Sequence, residues 1–508
     1  MRRTVVLSGL LALLVGLFPA ATVQAAPNNN NSPKLRSAVT VQGIREHLQA
    51  FQAIADANGD TRLAGTPGHE LSAEYVAERA RAAGYNVTIQ EFEYLLVGDG
   101  SPPVLDRITA PAESFVDGVD FMSMNYSGSG DVTADVWAVD LLIPSPSDSA
   151  STSGCEENDF LGMPAGAIAL IQRGTCTFGA KADNAVAAGA VGVIIFNEGT
   201  PSRLGVIDGT LNLPLRSIPV VGTTFAVGDN LRNGVLHGST GVQARLRVDS
   251  VAETRTTQNV IAETPEGAAD NVVVVGAHLD SVSRGPGIND NGSGSATLLE
   301  VAEEMAKVKV RNQVRFIWFS AEESGLLGSA HYVNSLTPAE RGNIALMLNF
   351  DMVGSPNFVR FVYDGDTSHT TPPAGGAPTA SAEIEDVFLD YFAAQGLATE
   401  PTAFDGRSDY GPFIAVGIPA GGLFTGAEGI KSPAQAAVYG GTAGAPYDPC
   451  YHLACDTMAN VSDTALDQMS DAVAHAVITF AQSTSLVNGR KGKGNFRTAD
   501  AVNLQADR

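Results

Sequence analysis

The chain has 508 residues, 44% hydrophobic, 17% charged and 7% aromatic, a soluble globular composition that excludes collagen-like, coiled-coil and wholly disordered classes. That length exceeds what one ordinary core supports, so two or more domains are expected. Its 31 basic against 55 acidic residues, a formal charge of −24, would repel phosphate backbones and anionic lipid, so neither nucleic acid nor membrane is expected as a partner.

Residues 1–25 read as a secretory signal peptide. Arg2 and Arg3 open it, Val5 to Phe18 is apolar, and Val23-Gln24-Ala25 supplies a small-residue cleavage site. The apolar run is too short to span hydrocarbon comfortably. A secreted, extracellular protein is therefore expected, and removal of that peptide leaves 29 basic residues against 55 acidic ones, or −26. Residues 26–40 read as a leader, with a polar run at Asn28 to Ser32. The spacing then predicts a helix from Val41 to Ala57, a turn through Asn58-Gly59-Asp60, and a second helix from about Gly68 to Ala83 closed by Gly84. Asn86 to Tyr94 alternates as a strand does.

The texture changes over 95–257. Short strands (Ala134 to Val139, Ala167 to Gln172, Val191 to Phe196) are separated by Pro, Gly, Ser and Asp clusters, which reads as a β-rich domain inserted into a larger one. Within it, Gly174-Thr175-Cys176-Thr177-Phe178, a helix from Lys181 to Ala188 and a following Gly-Ala-Val-Gly-Val-Ile-Ile-Phe-Asn string resemble the protease-associated domain of secreted peptidases. The outer domain comprises 41–94 and 258–485. There, continuous apolar runs at Val272 to Gly276, Val314 to Ser320, Ala345 to Phe350 and Pro419 to Phe424 are expected of strands buried on both faces. With a helix from Ser293 to Val308 between them, the pattern predicts a mixed, mostly parallel α/β sheet sandwiched by helices. Residues 486–508 read as a flexible tail.

The cysteines form two sequence-local pairs, Cys155 with Cys176 and Cys450 with Cys455. In an oxidising compartment two disulfides are expected; zinc-thiolate binding would need partner sets that neither pair has.

Three of these buried strands run into metal-competent residues. Val272 to Gly276 leads to His278-Leu279-Asp280, Val314 to Ser320 to Glu322-Glu323, and Ala345 to Phe350 to Asp351. In open α/β sheets, functional groups gather beyond the carboxyl ends of strands. His278 alone reads as readily as a structural residue, but Asp280 could accept the proton on its other ring nitrogen and so fix the tautomer of a ligand. Asp290 lies in a glycine-rich loop, which by itself reads sooner as ordinary helix entry than as a carboxylate held to bridge two metals. Glu322 and Glu323, buried side by side, would need cations nearby; one could ligate while the other acts as a base. His452 lies between Cys450 and Cys455, where the alternative is a stabilised surface loop.

Taken in order, His278-Leu279-Asp280-Ser281-Val282, Gly287-Ile288-Asn289-Asp290-Asn291-Gly292, Ala321-Glu322-Glu323, Asn349-Phe350-Asp351-Met352, Asp405-Gly406-Arg407-Ser408-Asp409-Tyr410 and Cys450-Tyr451-His452 resemble the Streptomyces-type secreted leucine aminopeptidases. The resemblance covers about Ile44 to Phe92 and Asn259 to Ile478. It implies a zinc exopeptidase fold and two zinc ions, one on His278 and Asp351, the other on Glu323 and His452, with Asp290 bridging. It implies Glu322 as general base, Tyr451 as donor to the oxyanion, Arg407 framing the free amino terminus, and Met352 and Phe424 in the side-chain pocket, although core packing is an equal reading of the last two. A cis peptide between Asp290 and Asn291 is also implied. Calcium, which some relatives hold through an acidic N-terminal residue and two later aspartates, is not expected: Asp467 and Asp471 are present, but Arg36 to Val39 offers no acid. The expected substrates are peptides and proteins with a free N-terminus, preferentially one bearing a large leucine-like residue, cleaved by a monomer. A carboxypeptidase on the same scaffold and a non-catalytic, receptor-like binding protein are the alternatives.

Overall fold

The computed structural model describes residues 29–372 and 375–491, so the signal peptide read at 1–25 and most of the tail read at 486–508 lie outside the described residues. Among the described residues, fourteen strands share one sheet. In chain order they are β1 Asn86–Arg107, β2 Glu113–Ser114, β3 Phe121–Ser123, β4 Gly130–Val139, β5 Ile168–Gln172, β6 Gly192–Phe196 and β7 Val220–Thr223. They continue with β8 Gly238–Glu263, β9 Ala268–His278, β10 Asn312–Phe319, β11 Ile344–Phe350, β12 Phe361–Tyr363, β13 Glu400–Thr402 and β14 Ala420–Phe424.

Two parallel arrays hang on one antiparallel ribbon. β1 and β8 pair from Asn86↔Glu263 to Arg107↔Ala244. At one end β8 also pairs with β10, which leads into the parallel set β10-β9-β11-β14. At its other end β8 pairs with β4, which leads into the parallel set β4-β5-β6-β7. The sequence suggests that the first strand stops at Tyr94. Instead it continues to Arg107, with register shifts between Asp99 and Ser101 and between Ser101 and Val104 absorbing Gly100, Pro102 and Pro103.

The apolar runs behave as strands buried on both faces. Val273 and Val275 enter one core and Val272 and Val274 the other; Phe316 and Trp318 likewise oppose Ile317 and Phe319. The first core packs against the helices Val41–Ala57, Pro67–Ala83, Gly294–Met305, Ser381–Ala394 and Asp463–Gln482. The second packs against Leu327–Ser335 and Gly411–Ala415. The β4–β7 array has its own pair of cores, one on each face. At full burial each such aliphatic side chain contributes roughly 1.5–3 kcal/mol, so a polar group introduced into these strands is costly.

The helix ends follow their caps. Thr40 accepts from the Gly43 N–H, and Gly84 closes Pro67–Ala83 at φ 98°, a left-handed conformation that suits glycine. Part of the stretch read as a leader is a helix, Ser32–Ala38, with Leu35 fully buried. Its Arg36 lies 3.4 Å from Asp471, so a guanidinium stands beside one of the two aspartates considered for calcium.

Candidate active site

β9, β10 and β11 are mutually parallel, so their carboxyl ends share one rim of the sheet. His278 ends β9, Glu322 and Glu323 follow β10 after the positive-φ residue Ala321, and Asp351 follows β11. Asp290 lies in the irregular turn Ile288–Ser293 that opens the helix Gly294–Met305, and the Asp290–Asn291 peptide is cis. His452 reaches the same rim from the loop closed by the Cys450–Cys455 bond, at φ 58°. Cys155 and Cys176 form the other disulfide.

The two oxygens of Asp290 divide between two imidazoles. Oδ1 lies 3.3 Å from His278 Nε2 and Oδ2 lies 3.2 Å from His452 Nε2. Asp351 Oδ1 is 3.3 Å from His278 Nε2, and Glu323 Oε2 is 3.1 Å from His452 Nε2. Donor atoms about 2.0–2.1 Å from a tetrahedral ion stand roughly 3.3 Å from one another, so each imidazole with its two carboxylates has the spacing of a zinc ligand set. Glu322 Oε2 is further from His278 Nε2, at 3.9 Å. Glu323 Oε1, Asp351 Oδ1 and His452 Nε2 are buried without a hydrogen-bond partner. Buried polar atoms are normally satisfied, and unpaired buried charge is costly, so these atoms fit cation ligands.

The electrostatics agree. Burial pushes both imidazoles down, but Asp351 and Glu322 around His278, and Glu323 and Tyr451 around His452, more than reverse it and hold each well above the ordinary range. Burial, with Asp290 adding to it, pushes Glu323 up to about 7 against the pull of His452. Glu322 is raised well above the usual carboxylate range by burial, opposed by His278 and reinforced by Glu323 and Asp351. For Asp290 the two imidazoles outweigh burial and pull it below that range. Protons are drawn into the cluster because its negative potential is strong, and a divalent cation would be drawn by the same field.

The backbone that presents these groups is tied on several sides. Asp456 accepts from the amides of Asn289 and Asp290 at 2.8 and 3.0 Å. Asn291 Nδ2 donates to the Phe350 carbonyl, while its Oδ1 accepts from Met352 N–H, joining the Asp290 turn to the end of β11. Ser408 Oγ donates to Asp351 Oδ2 at 2.7 Å. Arg62, fully buried, donates to the carbonyls of Leu279, Pro286 and Gly287 and so binds the end of β9 to the loop before Asp290. The nearest acceptor for His278 Nδ1 is the backbone carbonyl of Asp280 at 3.2 Å, with the Asp280 carboxylate at 3.7 Å. That carboxylate also accepts from the Glu322 amide at 3.2 Å. For His452 Nδ1 the partner is Asp208 Oδ2 at 3.3 Å, from the β4–β7 half of the molecule.

A cleft of about 290 Å³ opens on this cluster, near the lower end for small-ligand sites. Met352, Arg407, Phe424 and Tyr451 all line it, together with Phe361 and Tyr447. Phe361 and Phe424 stack at 6.0 Å and Tyr447 meets Phe361 edge-on at 5.3 Å, giving one apolar aromatic wall. The Tyr451 ring lies 3.8 Å from the His452 ring, and burial raises its phenol well above 10, which keeps the O–H as a donor. Arg407 is held protonated: burial opposes the charge, but Glu428 and Asp405 more than compensate. Asp148, Ser202 and Arg203 complete the rim from the β4–β7 half. Sequence reading picked out none of Arg62, Asp208, Ser408 or Asp456 as functional. Ser408 lies inside one of the matched motifs and Asp456 directly follows Cys455, which are usable signals; Arg62 and Asp208 have none.

The model of peptidase family M28 matches residues 259–477, and that of the PA domain matches 132–231. An aminopeptidase of Pseudomonas aeruginosa strain UCBPP-PA14 is 47% identical over 448 residues, 88% of this chain and 82% of that protein. Leucine aminopeptidase 2 of Trichophyton tonsurans is 41% identical over 455 residues, 88% and 86%. Among solved structures, an aminopeptidase from Aneurinibacillus sp. strain AM-1 superposes with a TM-score of 0.67 at 29% identity, covering 88% of this chain and 95% of that one. A zinc aminopeptidase from Bacillus subtilis gives 0.60 at 27% identity, covering 87% and 95%.

Proposed function

This chain belongs to peptidase family M28 and is a zinc aminopeptidase with an inserted PA domain, and from that premise we propose that it works with two zinc ions held by five side chains. His278, Asp351 and one oxygen of Asp290 would hold one ion; His452, Glu323 and the other oxygen would hold the second. What carries this reading is the single carboxylate of Asp290 facing two different Nε2 atoms at 3.3 and 3.2 Å. Zinc bound in such a pair of sites supplies Lewis acidity and makes a water nucleophilic near neutral pH.

The chain's own groups do the rest. Glu322, 3.9 Å from His278 Nε2 where Asp290 and Asp351 are each at 3.3 Å, is the general base: it takes a proton from the attacking water and returns it to the leaving amine. Its pKa, raised by burial, suits a carboxylate that takes up a proton and returns it. Tyr451, protonated, donates a hydrogen bond to the oxygen that becomes negative as the carbonyl is attacked. Met352 and Phe424, with the aromatic wall beside them, receive the first side chain, and Arg407 frames the free amino terminus. An apolar wall of this kind favours large hydrophobic residues, in line with the leucine aminopeptidase name of the Trichophyton relative.

We further read the peptidase domain as 41–94 with 258–485, the inserted domain as 95–257, and the mature protein as a secreted monomer acting on peptides and proteins. Two disulfides support export. Hydrolysis of leucine p-nitroanilide compared with an N-blocked dipeptide tests the substrate end recognised. Cleavage of the anilide alone, abolished by a chelator and restored by zinc, is expected; cleavage of only the blocked dipeptide would make the chain a carboxypeptidase.

A further inference from the structure

A ligating imidazole leaves its second ring nitrogen to be satisfied. If Nε2 offers its lone pair to a metal, Nδ1 carries the proton and needs an acceptor, which fixes the tautomer and raises ligand basicity. His278 finds its acceptor two residues away, at the Asp280 carbonyl. His452 finds its acceptor 244 residues away, at the Asp208 carboxylate of the inserted domain.

The position of Asp208 is built rather than incidental. Its neighbours Ile207 and Leu211 are buried in one core of the inserted domain. The Gly209 carbonyl accepts from the Asn125 amide at 2.9 Å, and the Leu211 amide donates to the Asn125 carbonyl at 3.0 Å, so the loop is tied to Asn125 just after Asp208, while buried Ile207 anchors it just before. The same domain touches the segment just after Glu323, the other exclusive ligand of that ion. Tyr126 O–H donates to the carbonyl of Ser324, the residue after Glu323, at 3.1 Å. Gly325 is so close to Asn212 that a Cβ there would lie 2.7 Å from Asn212 Oδ1. By contrast, the hydrogen bonds that orient His278 and Asp351 come from Asp280 and Ser408 of the peptidase domain.

We propose that Asp208 is a positioning residue of the metal centre: it accepts the His452 Nδ1–H, and through it the inserted domain supports the ion on His452 and Glu323 while leaving the ion on His278 and Asp351 alone. The two sites are thereby unequal, and retention of one ion is coupled to the docking of the inserted domain. This rests on the assignment of His452 as a zinc ligand.

The test uses the full chain with Asp208→Ala, Asp208→Asn and His452→Ala. Zinc affinity is read by competition with a chromogenic chelator, and zinc content by elemental analysis. Asp208→Ala should weaken one ion by about 10- to 100-fold and leave the other at wild-type affinity. Asp208→Asn, whose amide oxygen still accepts from Nδ1–H, should recover most of that loss. His452→Ala should lose one ion outright. If His452→Ala retains both ions, the ligand assignment itself is wrong. If His452→Ala loses an ion but Asp208→Ala titrates like wild type, weakens both ions equally, or is no better in the Asn form, the role given to Asp208 is wrong and the ligand assignment stands.

Discussion

Arg62 offers a sharp test of how the ligand-bearing backbone is held. Its guanidinium is fully buried against the Phe51 ring and donates to three carbonyls, those of Leu279, Pro286 and Gly287. Burial lowers its pKa to about 10, opposed by Asp280 and Asp456, so the group stays charged at neutral pH. Lysine keeps the charge but offers one nitrogen, which cannot span all three acceptors. Arg62→Lys should therefore leave one or two buried carbonyls unmet, at about 1–3 kcal/mol each. Against a typical total of ~5–15 kcal/mol, a loss of roughly 1–6 kcal/mol is large but survivable. Because the freed segments carry His278 and Asp290, turnover should fall by more than ~10-fold even where the protein is fully folded. Urea denaturation gives the stability, and leucine p-nitroanilide hydrolysis gives kcat/KM. A variant within about 0.5 kcal/mol of wild type and with unchanged kcat/KM would refute the clamp.

Other expectations follow from the same geometry. Glu322→Ala should keep both zinc ions and lose on the order of 10²- to 10⁴-fold in kcat, measured beside elemental analysis; full activity, or loss of metal, would remove Glu322 from its role as base. Glu385, away from the site, has its pKa raised to about 7 by burial, with Asp366 and Asp364 adding to it. A raised carboxyl pKa favours the folded state below about pH 4.5 and loses that contribution as pH rises through about 7. Glu385→Gln should thus be more stable than wild type at pH 8 and no more stable at pH 4, as compared by urea midpoints; the reverse ordering would show that burial does not control this group.

What the sequence made legible is what local physics controls. Val272 to Gly276 and Val314 to Ser320 read as doubly buried strands because their residues alternate between two cores, and parallel pairing then forces His278, Glu322, Glu323 and Asp351 onto one rim. Asp290 and His452 sit in loops with no periodicity, so family resemblance rather than pattern singled them out. The alternation of the first strand reads only to Tyr94, since glycine and proline end a strand pattern, whereas the ribbon of β1 and β8 carries them in register shifts. The helix Ser32–Ala38 falls in the stretch that reads as a leader, because its support is tertiary, through Leu35 and Arg36. Arg62 and Asp208 were invisible for the same reason: one reads as a loop arginine and the other as an acid in a distant domain, and only folding brings each to the centre.

Counting zinc per chain in wild type and in Asp290→Ala is the most direct trial of the two-ion arrangement. Two ions in the wild type, at least one of them lost together with activity when the shared carboxylate is removed, is the outcome expected. Asp290→Ala protein that still carries two tightly held ions and turns over normally would contradict it.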